Sequence, residues 1–128
     1  MREIKFRAWD KENEKMMKVS SLHLENKEIS VKENGTFHLF RMQDLMQYTG
    51  LKDKNDKEIY EGDIVLVKPG GTSTWYKTVV KFKEGAFIAS LIDGEDYIYI
   101  FNRGFDSNDF EILGNVYENP ELLEENNW

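Results

Sequence analysis

Short runs of alternating apolar and polar residues recur along this chain, each ended by a turn-forming pair, and only the C-terminal end carries a clear helix signal. That pattern restricts the chain to an all-β barrel or sandwich. In Ile4-Lys5-Phe6-Arg7-Ala8-Trp9, Ile4, Phe6 and Ala8 fall on one face and Lys5, Arg7 and Trp9 on the other, which predicts a half-buried strand. The polar run Asp10 to Lys15 reads as a hairpin loop, with Met16 to Leu24 as the returning strand. Glu28 to Lys32 and Thr36 to Arg41 flank Glu33-Asn34-Gly35. Asn-Gly between alternating runs is the strongest short hairpin signal, because both residues accept positive φ. Met42 to Tyr48 fits a helical turn or a strand equally well.

A second series of strands follows a polar stretch. Glu58 to Tyr60, the Glu61-Gly62-Asp63 turn and the β-branched run Ile64 to Lys68 lead into the loop Pro69 to Thr74. Trp75 to Lys83 and Phe87 to Ile92 form a hairpin around Glu84-Gly85, Tyr97 to Phe101 is a further strand, and Phe110 to Tyr117 is the last, with Gly114 marking a bulge. Asn119 as a cap, Pro120 at the first helical position and Glu121 near the dipole predict a helix over Pro120 to Asn126. The expected organisation is a hairpin-rich subdomain over 1–49, a polar connector over 50–57, an SH3-like β-barrel over 58–117 and a helical tail over 118–128.

Composition bounds the function. The 128 residues include 17 Lys+Arg and 24 Asp+Glu, a net charge of −7 that opposes non-specific nucleic-acid binding. With 40% hydrophobic residues and 13% aromatics the chain has enough apolar surface to fold. Zero cysteines exclude disulfides, thiolate zinc sites and cysteine nucleophiles, and fit a reducing cytoplasm. No apolar run reaches the ~18 residues of a membrane span, and Met1-Arg2-Glu3 opens no signal peptide, so a soluble cytoplasmic protein is expected.

The candidate chemistry is sparse. Trp75, Lys77, Lys81 and Lys83 share one strand parity, with Arg103 expected nearby; an aromatic among cations is what single-strand binding uses. The ordinary alternative is a solvated strand face whose lysines discourage edge pairing. His23 and His38 with Glu25 would make a thin metal site, and two unremarkable histidines on strands is the simpler reading. Asp53-Lys54-Asn55-Asp56-Lys57-Glu58 departs from a calcium loop: Glu58 stands where the sharp turn wants glycine, and Ile64 where the twelfth-position glutamate belongs. No metal or other cofactor is therefore expected. Asp63 is expected to bond the backbone amides of its own turn. Gly62-Asp63-Ile64-Val65-Leu66-Val67 with the following glycine loop is similar to the opening of MazF-type endoribonuclease toxins. Such chemistry wants an arginine near that loop, whereas the arginines here are Arg2, Arg7, Arg41 and Arg103, and Lys77 lacks the bidentate fork.

Three stretches together carry a family resemblance. They are Met1-Arg2-Glu3-Ile4-Lys5-Phe6-Arg7-Ala8-Trp9-Asp10-Lys11, the central run from Gln47-Tyr48-Thr49-Gly50-Leu51-Lys52-Asp53 through Glu61-Gly62-Asp63-Ile64-Val65, and Glu111-Ile112-Leu113-Gly114-Asn115-Val116-Tyr117-Glu118-Asn119-Pro120 to Leu123. In this order the chain resembles the YopX family of small phage and prophage proteins. One departure is Lys54-Asn55-Asp56-Lys57, where the family pattern tends to have glycine in place of Asp56. The resemblance implies an all-β fold of two subdomains and a phage origin, and supplies no catalytic residues. The expected function is a non-enzymatic accessory protein working through protein contacts with host or phage proteins and self-association as a homo-oligomer, motivated by the lack of a convincing catalytic set and by the aromatics Trp9, Trp75 and Trp128, expected to be exposed. The alternatives are a nucleic-acid-binding regulator using Trp75, Lys77, Lys81 and Lys83, and, behind it, the ribonuclease-like barrel.

Overall fold

Asn34 and Gly35 both take positive φ, 50° and 82°, and close the hairpin that their dipeptide predicts. The fold is taken from a computed structural model that describes residues 3–101 and 104–124. The chain divides into two units, Met1–Tyr48 and Thr49–Trp128.

In the first unit, β1 (Phe6–Asp10), β2 (Lys15–His23), β3 (Glu28–Glu33), β4 (Thr36–Arg41) and the start of β5 (Leu45–Lys52) form an antiparallel sheet in the order β4-β3-β2-β1-β5. The ambiguous run before Tyr48 is therefore largely strand. One face buries Ala8, Met17, Ile29 and Val31, with Val19, Leu22, Phe40 and Leu45 packed around them. The expectation of a half-buried β1 needs correction: Ala8, Trp9 and Asp10 are all buried, whereas Ile4, expected on the inner face, is 67% exposed. Alternation records side-chain polarity but not the packing that covers a strand on its second face.

A turn at Asp10 and an exposed ion pair between β2 and β3 add charged contacts to this unit. Asn13 Nδ2 donates to Asp10 Oδ2 at 2.8 Å, and the Glu12 and Asn13 amides donate to Oδ1. Lys15 Nζ donates to Glu33 Oε1 at 2.8 Å. The Asn13 side chain holds the Asp10 carboxyl below its ordinary value of 3.8, and Lys15 holds Glu33 below 4.5. Glu33 in turn raises the Lys15 ammonium above 10.5. A depressed carboxyl stabilises above its unfolded value and loses that contribution as pH falls through the folded one; the raised ammonium loses its contribution as pH rises through its folded value. The stability they confer is thus expected to be flat between about pH 5 and 9 and to fall on either side. Urea midpoints across that range check this. Asp10→Asn and Glu33→Gln should each flatten the acid limb.

In the second unit, the end of β5 pairs with β6 (Glu58–Tyr60). A five-stranded sheet follows, built from β7 (Asp63–Val67), β8 (Tyr76–Lys83), β9 (Ala86–Leu91), β10 (Tyr97–Tyr99) and β11 (Phe110–Asn115) in the order β10-β9-β8-β7-β11. In this antiparallel meander the last strand pairs with the first, and the all-β expectation holds. Ile59, Val65, Val67, Val80, Phe87, Ala89, Ile100 and Phe110 fill its core. The register of β11 on β7 shifts between Ile112 and Gly114, the bulge that the glycine signalled.

The C-terminal helix is shorter than predicted. A 3-10 turn covers Pro120–Leu123, and Asn119 makes no side-chain cap. Its Oδ1 instead accepts the Asn115 amide at 3.2 Å. Glu124 is already extended, and the remainder of the predicted helix, Glu125 and Asn126, lies outside the described residues.

Asp56 occupies the left-handed region, with φ 65°. The turn thus forms at the cost of a Cβ strain that glycine would lack. Asp56→Gly is expected to raise stability by roughly 0.5–1 kcal/mol, read as a higher urea midpoint at unchanged slope. The exposed ion pair it removes, Lys52 to Asp56 at 3.6 Å, is worth little.

Candidate interaction face

The cationic face expected on one strand is split by the structure. Lys81 and Lys83 are exposed on β8. Lys77, four residues before Lys81 and of the same parity, is buried, and its ammonium donates to the Glu124 carbonyl at 2.6 Å. Trp75 precedes β8, half-buried, with Lys54 and Lys68 at 5.7 and 5.8 Å from its ring. Both cations are ion-paired, Lys54 with Glu111 at 3.3 Å and Lys68 with Asp109 at 3.7 Å, so this corner is charge-balanced. Arg103 lies outside the described residues.

Aromatics do stand beside Lys81 and Lys83, but they come from another strand. The registers align Lys81 with Ile88 and Ile88 with Tyr99, and align Val79 with Ser90 and Ser90 with Tyr97. Directly opposed residues share a sheet face, so Tyr97 and Tyr99 lie on the side of Lys81 and Lys83. Tyr99 is 56% exposed, and its ring meets that of Tyr97 edge-on at 5.4 Å between centroids. Lys83 Nζ lies 4.6 Å from the centre of the Tyr97 ring, a close cation–π contact. A hydrogen bond with Tyr97, reinforced by partial desolvation and the charge of Glu84, holds the Tyr99 phenol above its ordinary 10.0. It therefore stays neutral at physiological pH. The alternation Tyr97-Ile98-Tyr99-Ile100 was the available signal for these two residues.

Other candidates resolve locally. Glu28 stands opposite His23 and Val31 opposite His38, on strands separated by β3, so the histidines do not converge. Asp63 Oδ2 accepts the Tyr60 amide at 2.8 Å, as its turn position led us to expect. Asp53, first in the calcium-like run, is buried and spends both oxygens on backbone amides. Trp9, expected among the exposed aromatics, is only 9% exposed, and Trp128 lies outside the described residues. No helix among the described residues is long and apolar enough to cross a membrane.

The profile of the family described as YopX protein matches residues 5–124. Protein EF1440 from Enterococcus faecalis is similar in structure, with a TM-score of 0.63 and 27% identity over 97% of this chain and 100% of that one. Protein yopX from Bacillus subtilis is similar at a TM-score of 0.62 and 22% identity, over 94% of this chain and 98% of that one, a likeness of fold. No curated protein matches the chain.

Proposed function

Since the chain belongs to the YopX family, we propose that it is a non-enzymatic accessory protein of a phage or prophage, acting in the host cytoplasm through protein contacts that include copies of itself. The observation that supports this reading is the outer face of β8 to β10, where Tyr97 and Tyr99 stand beside Lys81 and Lys83. Tyrosines bring large, stiff contact area at low side-chain entropy cost and are enriched among residues that dominate binding. Affinity capture with the wild type and with the Tyr97→Ala/Tyr99→Ala pair tests it. Retention of a bound protein should fall at least about tenfold in the variant, the loss of ~1.4 kcal/mol that a modest anchor supplies. Undiminished retention would remove this face from the account.

The geometry also supports a second reading, in which the same face takes single-stranded nucleic acid. Lys81 and an exposed Tyr99 ring are the parts such binding uses, although the net charge of −7 works against it. Fluorescence anisotropy of a labelled strand separates the two. The protein-contact reading expects no rise at micromolar protein. A rise that weakens with salt and disappears in Lys81→Glu would assign the face to nucleic acid.

A further inference from the structure

The sheet of the first unit ends on β4, and among the described residues no strand pairs with its outer side. Sheet edges are normally protected by shortness, a bulge, proline or lysine, because an open ladder of N–H and C=O groups invites another strand. The other terminal strands are managed in this way: β6 and β10 have three residues each, and β11 carries the bulge at Gly114. By contrast, β4 pairs with β3 without interruption from Glu33↔Thr36 to Glu28↔Arg41, and its sequence, Thr-Phe-His-Leu-Phe-Arg, contains neither proline nor lysine. Phe37 and Leu39, two apart and so on one face, are 61% and 63% exposed.

We infer that β4 is a self-association edge, at which two copies pair antiparallel about a two-fold axis at His38 and join their sheets into one. This inference rests on the self-contact part of the proposed function and gives it a place. The strand is complementary to itself in that register. Phe37 of each copy lies opposite Leu39 of the other, which makes one continuous apolar strip across the seam. Arg41, the strand's one permanent charge, stands opposite Glu28 of its own copy and falls at each end of the seam opposite Gly35 of the other copy, away from the second Arg41. A two-fold seam of this kind uses the same edge of both copies and closes at the dimer. Each copy carries a net charge of −7, so the whole molecules repel while the seam attracts, and added salt should tighten the pair.

Sedimentation equilibrium of the full chain, at about 50 and about 300 mM salt, tests the inference. The wild type should move with concentration from 15.1 kDa to twice that mass, with a lower Kd at the higher salt. Phe37→Lys and Leu39→Lys alter exposed side chains and should keep the wild-type circular dichroism. Each should weaken pairing at least about tenfold by returning a lysine to the edge. Hydrogen exchange should show outward amides of β4 slowing as the wild-type concentration rises. A wild type that stays monomeric at high concentration overturns the pairing and leaves retention by the tyrosine face standing. A dimer that survives both lysine variants overturns the assignment to β4 and leaves self-association standing. Masses that grow beyond the dimer overturn the closed two-fold seam.

Discussion

Replacing Asp53 with alanine is expected to destabilise the protein by roughly 3–5 kcal/mol. The side chain is 1% exposed and is the shared acceptor of a five-residue turn and a distant strand. Its Oδ1 accepts the amides of Asn55 and Lys57, each at 2.9 Å, and its Oδ2 accepts the amide of Ile112 at 2.9 Å, 59 positions further on. Alanine strands those donors with little room for replacement partners, and each buried donor left unpaired costs about 1–3 kcal/mol. Asp53→Asn separates hydrogen bonding from packing. It keeps the volume and one acceptor oxygen but turns an amide N–H toward that of Ile112, so its cost should fall between wild type and alanine. Urea denaturation monitored by circular dichroism reads both variants. An alanine variant within about 1 kcal/mol of wild type would show that these amides find other partners.

Gly114→Ala should cost about 2 kcal/mol, through a collision rather than a lost bond. The bulge brings Gly114 under the Asn119 side chain, where an added Cβ would overlap its carboxamide. Asn119 is not free to swing away. Its Oδ1 accepts the Asn115 amide at 3.2 Å and its own amide donates to the Asn115 carbonyl at 2.9 Å. Asn115 in turn accepts the amides of Tyr117 and Glu118 at 3.0 and 2.9 Å, so the substitution would disturb the whole turn. Asn119→Ala alone should cost about 1 kcal/mol. Gly114→Ala/Asn119→Ala should cost little more than that, since the collision partner is gone. Strict additivity of the two single effects would contradict the collision.

The strands and their hairpins were legible because the signals are local. Period-two alternation, Asn34-Gly35 and Glu84-Gly85 act over a few residues, and both pairs take the positive φ their turns need. Burial of Trp9 was not legible, since alternation cannot register what covers the second face of a strand. The end of the chain misled for a similar reason. Asn119 has the chemistry of a helix cap, but the amide of Asn115 claims its oxygen, so only a 3-10 turn follows. Half of the candidate face could be read from parity, which correctly leaves Lys81 and Lys83 outside. Lys77 obeys the same parity but is taken up by a carbonyl 47 positions away. Tyr97 and Tyr99 join the face only through the pairing of β10 with β9, a register that the polar run from Asp93 to Asp96 does not specify. Asp53 shows the converse. Its run of polar residues was read only as a connector that departs from a calcium loop, and the fold makes this carboxylate the fastening between a turn and β11.

The central claim, that this chain works through protein contacts, is tested most directly by capture of the tagged wild-type protein from phage-infected cells, with the lysate divided and one half treated with nuclease. The same host or phage protein should be recovered from both halves, in similar amount. Recovery that disappears with nuclease would contradict the claim and assign the tyrosine–lysine face to nucleic acid.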